Sequence, residues 1–132
     1  MPSESDWEDL VAHVSEQSAM GVEVEGWDGM AHWEVGQFLK DSCCWLPPRL
    51  LALDEFKPTN DHGFKAIPSG ERSFSGFFLD AGAYGSAKWW SSDLVGSELL
   101  CRYVTSMDSA LHDAQAMRTR GFSVRCVKDA AK

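Results

Sequence analysis

Basic side chains are nearly absent from the first third of this chain. Residues 1–41 hold ten Asp and Glu against Lys40 alone, a local charge of −9, so the rest of the net −8 stands at +1. So acidic a surface repels phosphate backbones, which argues against nucleic acid and anionic membranes as partners. No run approaches the roughly twenty apolar residues that a membrane helix needs. The opening Met1-Pro2-Ser3-Glu4-Ser5-Asp6 has neither the basic nor the apolar part of a signal peptide, so the chain as given is expected to stay in the cytoplasm. No CxxC spacing, no HExxH and no Cys/His zinc pattern occurs, and His13, His32, His62 and His112 are scattered; no metal and no cofactor are expected. Adjacent Cys43 and Cys44 are poorly placed to bridge each other, and the four thiols, with Cys101 and Cys126, are expected to be reduced and mostly buried.

What is present suits one folded domain spanning residues 1–132. The length leaves no room for two cores, and 44% apolar residues with six tryptophans argue against disorder. Ser3 to Gln17 reads as a helix. Ser3 caps it with Asp6 three residues on, and Trp7, Leu10, Val11 and Val14 form one apolar stripe. Gly21 ends it, and Val22-Glu23-Val24-Glu25 reads as a short strand or extended linker. Asp28 caps a second helix over Gly29 to Lys40, with Met30, Trp33, Phe38 and Leu39 as its apolar residues; Gly36 weakens it by about 1 kcal/mol relative to Ala. Pro47-Pro48 breaks any helix, and Lys57 to Gly63 is turn chemistry.

Beyond Gly63 the period shortens. Phe64 to Ile67 and Phe74 to Leu79 read as strands around a turn at Ser69 to Arg72, and Tyr84 to Ser92, Leu99 to Ser106, Ala110 to Met117 and Gly121 to Lys128 follow at hairpin intervals. In the last run Phe122, Val124 and Cys126 alternate with Ser123 and Arg125, which predicts a half-buried strand with the first three inward. Helices first and strands later indicate an α+β domain with helices packed on an antiparallel sheet.

Several blocks then resemble a known family. Pro2-Ser3-Glu4-Ser5-Asp6-Trp7-Glu8-Asp9-Leu10 resembles the "PS-x-x-[DE]-W-x-x-L" helix of the Fibrobacter succinogenes major paralogous domain family. Phe38-Leu39-Lys40-Asp41-Ser42 with Trp45 resembles its "LK-[ST]-x-x-x-W". Asp61-His62-Gly63-Phe64-Lys65-Ala66-Ile67-Pro68-Ser69-Gly70 resembles its "D-x-GF-x-ALP-x-G", with Ile for Leu, and Arg72, Gly76 and Phe78 follow in register. Tyr84 to Ser92 resembles "G-Y-x-W-S-S", and Gly121 to Asp129 is similar to the terminal "GFSVRC-V-[KR]-D" almost letter for letter. The resemblance spans residues 2–129 with every block in order. It implies a C-type lectin-like α+β fold, akin to that of the formylglycine-generating enzymes, with two helices flanking a small twisted antiparallel sheet. It implies a surface or secreted protein that binds rather than catalyses. Family members carry a section upstream of the first helix, so the sheet here is expected to lack its N-terminal strand. The open edge invites a homodimer, and Cys126 is expected to be a free thiol. Leu46 to Phe56 departs from the family pattern as an insertion.

Calcium-dependent lectins of this fold chelate the ion with Glu-Pro-Asn or Gln-Pro-Asp and Trp-Asn-Asp runs. Pro58-Thr59-Asn60-Asp61 and Trp90-Ser91-Ser92-Asp93 match neither, and Glu23, Glu25 and Asp28 read as solvated surface. Trp89 and Trp90 alternate on a strand, so one ring is expected in the core and the other free to stack on a flat ligand. Arg102, Tyr103, Thr105, His112, Gln115 and Arg118 lie on the late strands where lectin-like domains display ligand contacts, although ordinary sheet surface also accounts for each. The expected function is a non-catalytic module binding a carbohydrate, a peptide or a protein surface. The alternatives are a thiol enzyme using Cys101 or Cys126, and a structural oligomer without a ligand site.

Overall fold

The computed structural model of the protein describes residues 1–17, 31–32, 35–46 and 58–129. In chain order these form α1 (Glu4–Gln17), β1 (Ala31–His32), α2 (Val35–Leu39), β2 (Ser69–Arg72), β3 (Phe78–Ala81), β4 (Ser86–Val95), β5 (Glu98–Thr105) and β6 (Leu111–Ala116). The strands make a single sheet in the order β1-β6-β5-β4-β2-β3. The domain is therefore mixed α+β. All pairings are antiparallel except β2 with β4, which run parallel and meet at Gly70 and Ala87.

The capping expectation for α1 holds in atomic detail. Ser3 Oγ accepts the Asp6 amide at 3.2 Å, while Asp6 Oδ2 accepts the Ser3 amide at 2.7 Å and its hydroxyl at 2.8 Å. Those Ser3 hydrogen bonds hold the Asp6 carboxyl below its ordinary value. The helix start is also tied to the sheet: Glu4 N–H donates to Asp93 Oδ2 at 2.5 Å, and Ser92 N–H to the Pro2 carbonyl at 2.8 Å. The stripe Trp7, Val11 and Val14 is buried as its spacing requires.

Strand alternation divides the core between the two faces of the sheet. Ala87, Trp89, Val104 and Leu111 face the helices and close the main cluster with Trp7, Val14, Val35, Leu39, Trp45 and Ala66. The opposite face holds a smaller cluster of Trp90, Cys101 and Ala116, with Phe122 against it.

The second helix departs from expectation. It covers only Val35–Leu39, and Ala31–His32 is instead an edge strand on β6, with Ala31 opposite His112 and His32 opposite Leu111. Gly36 is not a weakness in it. Its Cα lies so close to the Ala110 carbonyl that a Cβ would overlap backbone oxygen. We expect Gly36→Ala to destabilise the protein by about 1–3 kcal/mol as overpacking does, where propensity alone predicts a gain. Thermal unfolding of the variant reads the sign.

The late chain differs in three further places. Ser69 to Arg72, expected as a turn, is strand β2; its Gly70 takes a φ of 70° and lies against β3 too closely for a side chain. Phe64 to Ile67 makes only one bridge, Ala66 with Lys40, and the Phe74 to Leu79 run becomes a turn followed by β3. Gly121 to Lys128 is not a strand. Gly121 and Ser123 wedge between the diverging β2 and β4, where Gly121 exchanges two 2.8 Å backbone hydrogen bonds with Arg72 and Ser123 bridges Trp89. Phe122 packs against Trp90 as expected, but beyond it the alternation is reversed: Arg125 turns inward over the Phe64 ring, 4.0 Å from its centroid, while Val124 and Cys126 are exposed.

The exposed edge of the sheet is β3. All four of its residues are exposed, Phe78 at 81%, and Phe74 and Phe77 precede it in the turn. The expected end of α1 at Gly21, the Val22 to Glu25 strand, the Asp28 cap, Met30, Trp33, the acidic Glu23, Glu25 and Asp28, and the Pro47 to Phe56 stretch lie outside the described residues. No helix among the described residues is long and apolar enough to cross a membrane.

Candidate functional site

A cleft of about 340 Å³ opens on the sheet face away from α1. The ladder explains its lining. Lys88 stands opposite Tyr103 and Trp90 opposite Cys101, and Cys101 in turn faces Ala114 on β6, so these side chains share one face. The small Ala114 and Ala116 leave the depression, and Phe122 and Arg120 wall it from the C-terminal side.

Glu71 of β2 is the buried charge of this cleft. Its carboxylate, 4% exposed, lies between Lys88 Nζ at 3.1 Å and Arg120 Nη1 at 3.2 Å. Lys88 is itself held by two rings, 5.5 Å from the Tyr103 centroid and 5.7 Å from that of Phe122. The result is an acceptor flanked by two donors over an apolar floor. Such an arrangement binds groups that both give and take hydrogen bonds, and its positive charges are supplied by the chain itself.

The expected site residues divide between faces. Tyr103 lines the cleft and Gln115 borders it. Trp90 shares the face but is 8% exposed, its ring covered by Phe122 at 4.3 Å, so it offers no open surface for stacking. Trp89 is buried on the opposite face at 6.1 Å from Trp7. Both indoles are therefore interior, one on each side of the sheet. Arg102 is also buried on the helix face, where Glu4 Oε2 at 2.6 Å and Asp113 Oδ1 accept its guanidinium. His112 stacks on Tyr103 at 4.8 Å and reaches the Asp108 carboxylate at 2.9 Å; Thr105 accepts the Met107 amide. Arg118 is exposed in the turn after β6 and does not line the cleft.

Lys88, Glu71, Arg120 and Phe122 are the residues that sequence reasoning missed. Lys88 had a visible signal, two residues before Trp90 on the same strand face. Glu71 had none, because its segment reads as a turn.

The cysteines differ from the expectation of burial. Cys101 is buried, and burial pushes its thiol up to about 11 despite nearby Lys88, which keeps it protonated and unreactive at neutral pH. Cys43 and Cys126 are exposed and Cys44 half-buried. Cys126 borders a second, smaller cleft with Arg125 and Asp6, and no hydrogen bond joins it to a base among the described residues.

A buried lysine lies beyond the cleft. Lys40, with no exposed surface, donates from Nζ to the Asp108 carbonyl at 2.5 Å and sits 5.2 Å from the Trp45 ring centroid. Burial draws its pKa down to about 7, against the pull of the Asp108 charge. Burial pushes Asp108 up, yet the hydrogen bond and charge of His112, the Ala110 amide and Lys40 together bring it below its ordinary value. Below pH of about 7 both folded and unfolded chains hold the Lys40 proton; above it the folded chain releases it first. The unfolded chain then binds more protons, so stability rises with pH from about 7 upward. Urea midpoints should climb between pH 7 and 9, a slope that Lys40→Met flattens; equal slopes in the two proteins would remove the assignment.

No family model, no curated protein and no solved structure matches this chain.

Proposed function

We propose that this protein is a non-catalytic recognition domain of C-type lectin-like architecture, related to the Fibrobacter succinogenes major paralogous domain family. Its ligand sits in the cleft of Glu71, Lys88 and Arg120 and needs no calcium. Support for the architecture comes from the ordered motif blocks and from the way both ends of the chain meet β4: the Pro2 carbonyl accepts from Ser92 and the Ser123 carbonyl from Trp90. The observation that carries the function is the buried carboxylate held between two cations in the lining of an open cleft. Hydroxyl-rich or zwitterionic groups, as in a sugar or a peptide, fit such a donor–acceptor–donor row, with the edge of Phe122 as an apolar wall.

Glycan and peptide arrays probed with the purified protein, with calcium and again with a chelator, test this reading. Binding is expected to survive chelation. Lys88→Ala should weaken the strongest hit about tenfold to a hundredfold, the loss of one or two charged hydrogen bonds. Binding abolished by the chelator, or unchanged in Lys88→Ala and Glu71→Gln, would overturn it.

A further inference from the structure

We propose that Asp41, Cys43 and Cys44 form a site for one thiophilic divalent cation of the zinc and cadmium class. One carboxylate oxygen and two sulfurs lie here within 4.8 Å of one another. The two sulfurs are 2.7 Å apart, so both thiols point to the same side of the turn. Consecutive residues have Cα atoms about 3.8 Å apart, short of the usual disulfide span.

The turn is pinned on both sides, with Cys43 exposed and Asp41 and Cys44 half-buried. Asp41 N–H donates to the Ala66 carbonyl at 2.9 Å, and Leu46 N–H to the Ala83 carbonyl at 2.9 Å. Between them the Trp45 indole is buried, donating to the Ala66 carbonyl at 2.7 Å. Asp41 Oδ1 accepts the Cys43 amide at 3.0 Å, which fixes the carboxylate over the turn. A zinc ion takes sulfur at about 2.3 Å and carboxylate oxygen at about 2.1 Å, so three atoms in this compass reach one ion once the sulfurs part by about 1 Å. Exposed Cys43 allows that by rotating its side chain. Each thiolate that binds gives its proton to solvent. Sulfur ligands select zinc or cadmium over magnesium or calcium, and three protein ligands leave the fourth position open.

The test is cadmium titration of the reduced full-length chain, followed by thiolate-to-metal charge-transfer absorption and by metal content after gel filtration. One cadmium per chain is expected, displaceable by zinc and unaffected by calcium. Cys43→Ser and Cys44→Ser should each weaken binding at least tenfold, and Asp41→Asn about tenfold, while Cys126→Ser leaves it unchanged. Cys43 is exposed and Asp41 and Cys44 are half-buried, so unfolding midpoints matched to the parent protein are required to show that each variant folds. No cadmium binding, binding that survives the double cysteine variant, or one cadmium shared by two chains would each overturn the proposal.

Discussion

Trp7→Ala is expected to lower the unfolding free energy by about 4 kcal/mol, the cost of emptying a large aromatic site in a packed core. Trp7 is 2% exposed and joins α1 to the sheet, 6.1 Å from both the Phe64 and Trp89 centroids. Phe64 meets Trp89 edge-on at 5.3 Å, so the three rings support one another and none can collapse alone into the void. Trp7→Phe should cost much less. The Trp7 indole N–H is buried without a hydrogen-bond partner among the described residues. Phenylalanine removes that donor together with its desolvation cost of about 1–3 kcal/mol, which offsets part of the lost volume. Urea denaturation of the two variants decides the matter: equal losses would mean that a single ring recovers none of the packing and that the full indole shape is what joins α1 to the sheet.

Arg102→Ala should cost about 3 kcal/mol, at the lower end for breaking a buried ion pair. Arg102 is 3% exposed in its side chain, whereas Glu4 and Asp113 are 22% and 27% exposed, so the orphaned carboxylates regain some water. They nevertheless face each other across the site the guanidinium held, where like charges repel. The triple variant Glu4→Gln, Arg102→Met, Asp113→Asn should recover most of the loss, because no charge is then left without its partner. If it is as unstable as Arg102→Ala, the residue acts through packing of its stem and not through its charge. Either result concerns the helix face of the sheet, remote from the cleft, so ligand binding by the folded variants should be preserved.

The helix-face placement of Arg102 shows where reading the chain alone reached its limit. Its strand was correctly legible from Leu99 to Ser106, and period-two alternation puts Arg102 opposite Cys101 and Tyr103 across the sheet. What alternation does not tell is which face the helices cover. The choice rests on Trp7, Val11 and Val14 joining one cluster with Trp89 and Val104, residues some seventy-five to ninety-seven positions away. With the face chosen, Arg102 is necessarily inside, and Glu4 at the capped start of α1 meets its charge.

Local signals were decisive where neighbouring residues alone satisfy the backbone. The Ser3–Asp6 capping box and its apolar stripe specify α1, and strand-like runs at a hairpin interval point to the β4–β5 pair. The mixed α+β class follows from that order of periods. Segments whose hydrogen bonds go to distant chain were decided only by tertiary structure. Ser69 to Arg72 looks like a turn until β3 and β4 take up its backbone groups, and Gly121 to Ser123 looks like a strand until it is wedged between β2 and β4. Gly36 reads as a helix defect until Ala110 packs against it. The cleft has the same origin: Glu71, Lys88 and Arg120 come from three segments, and only the tertiary fold brings the carboxylate between its two cations, which offset the cost of removing it from water.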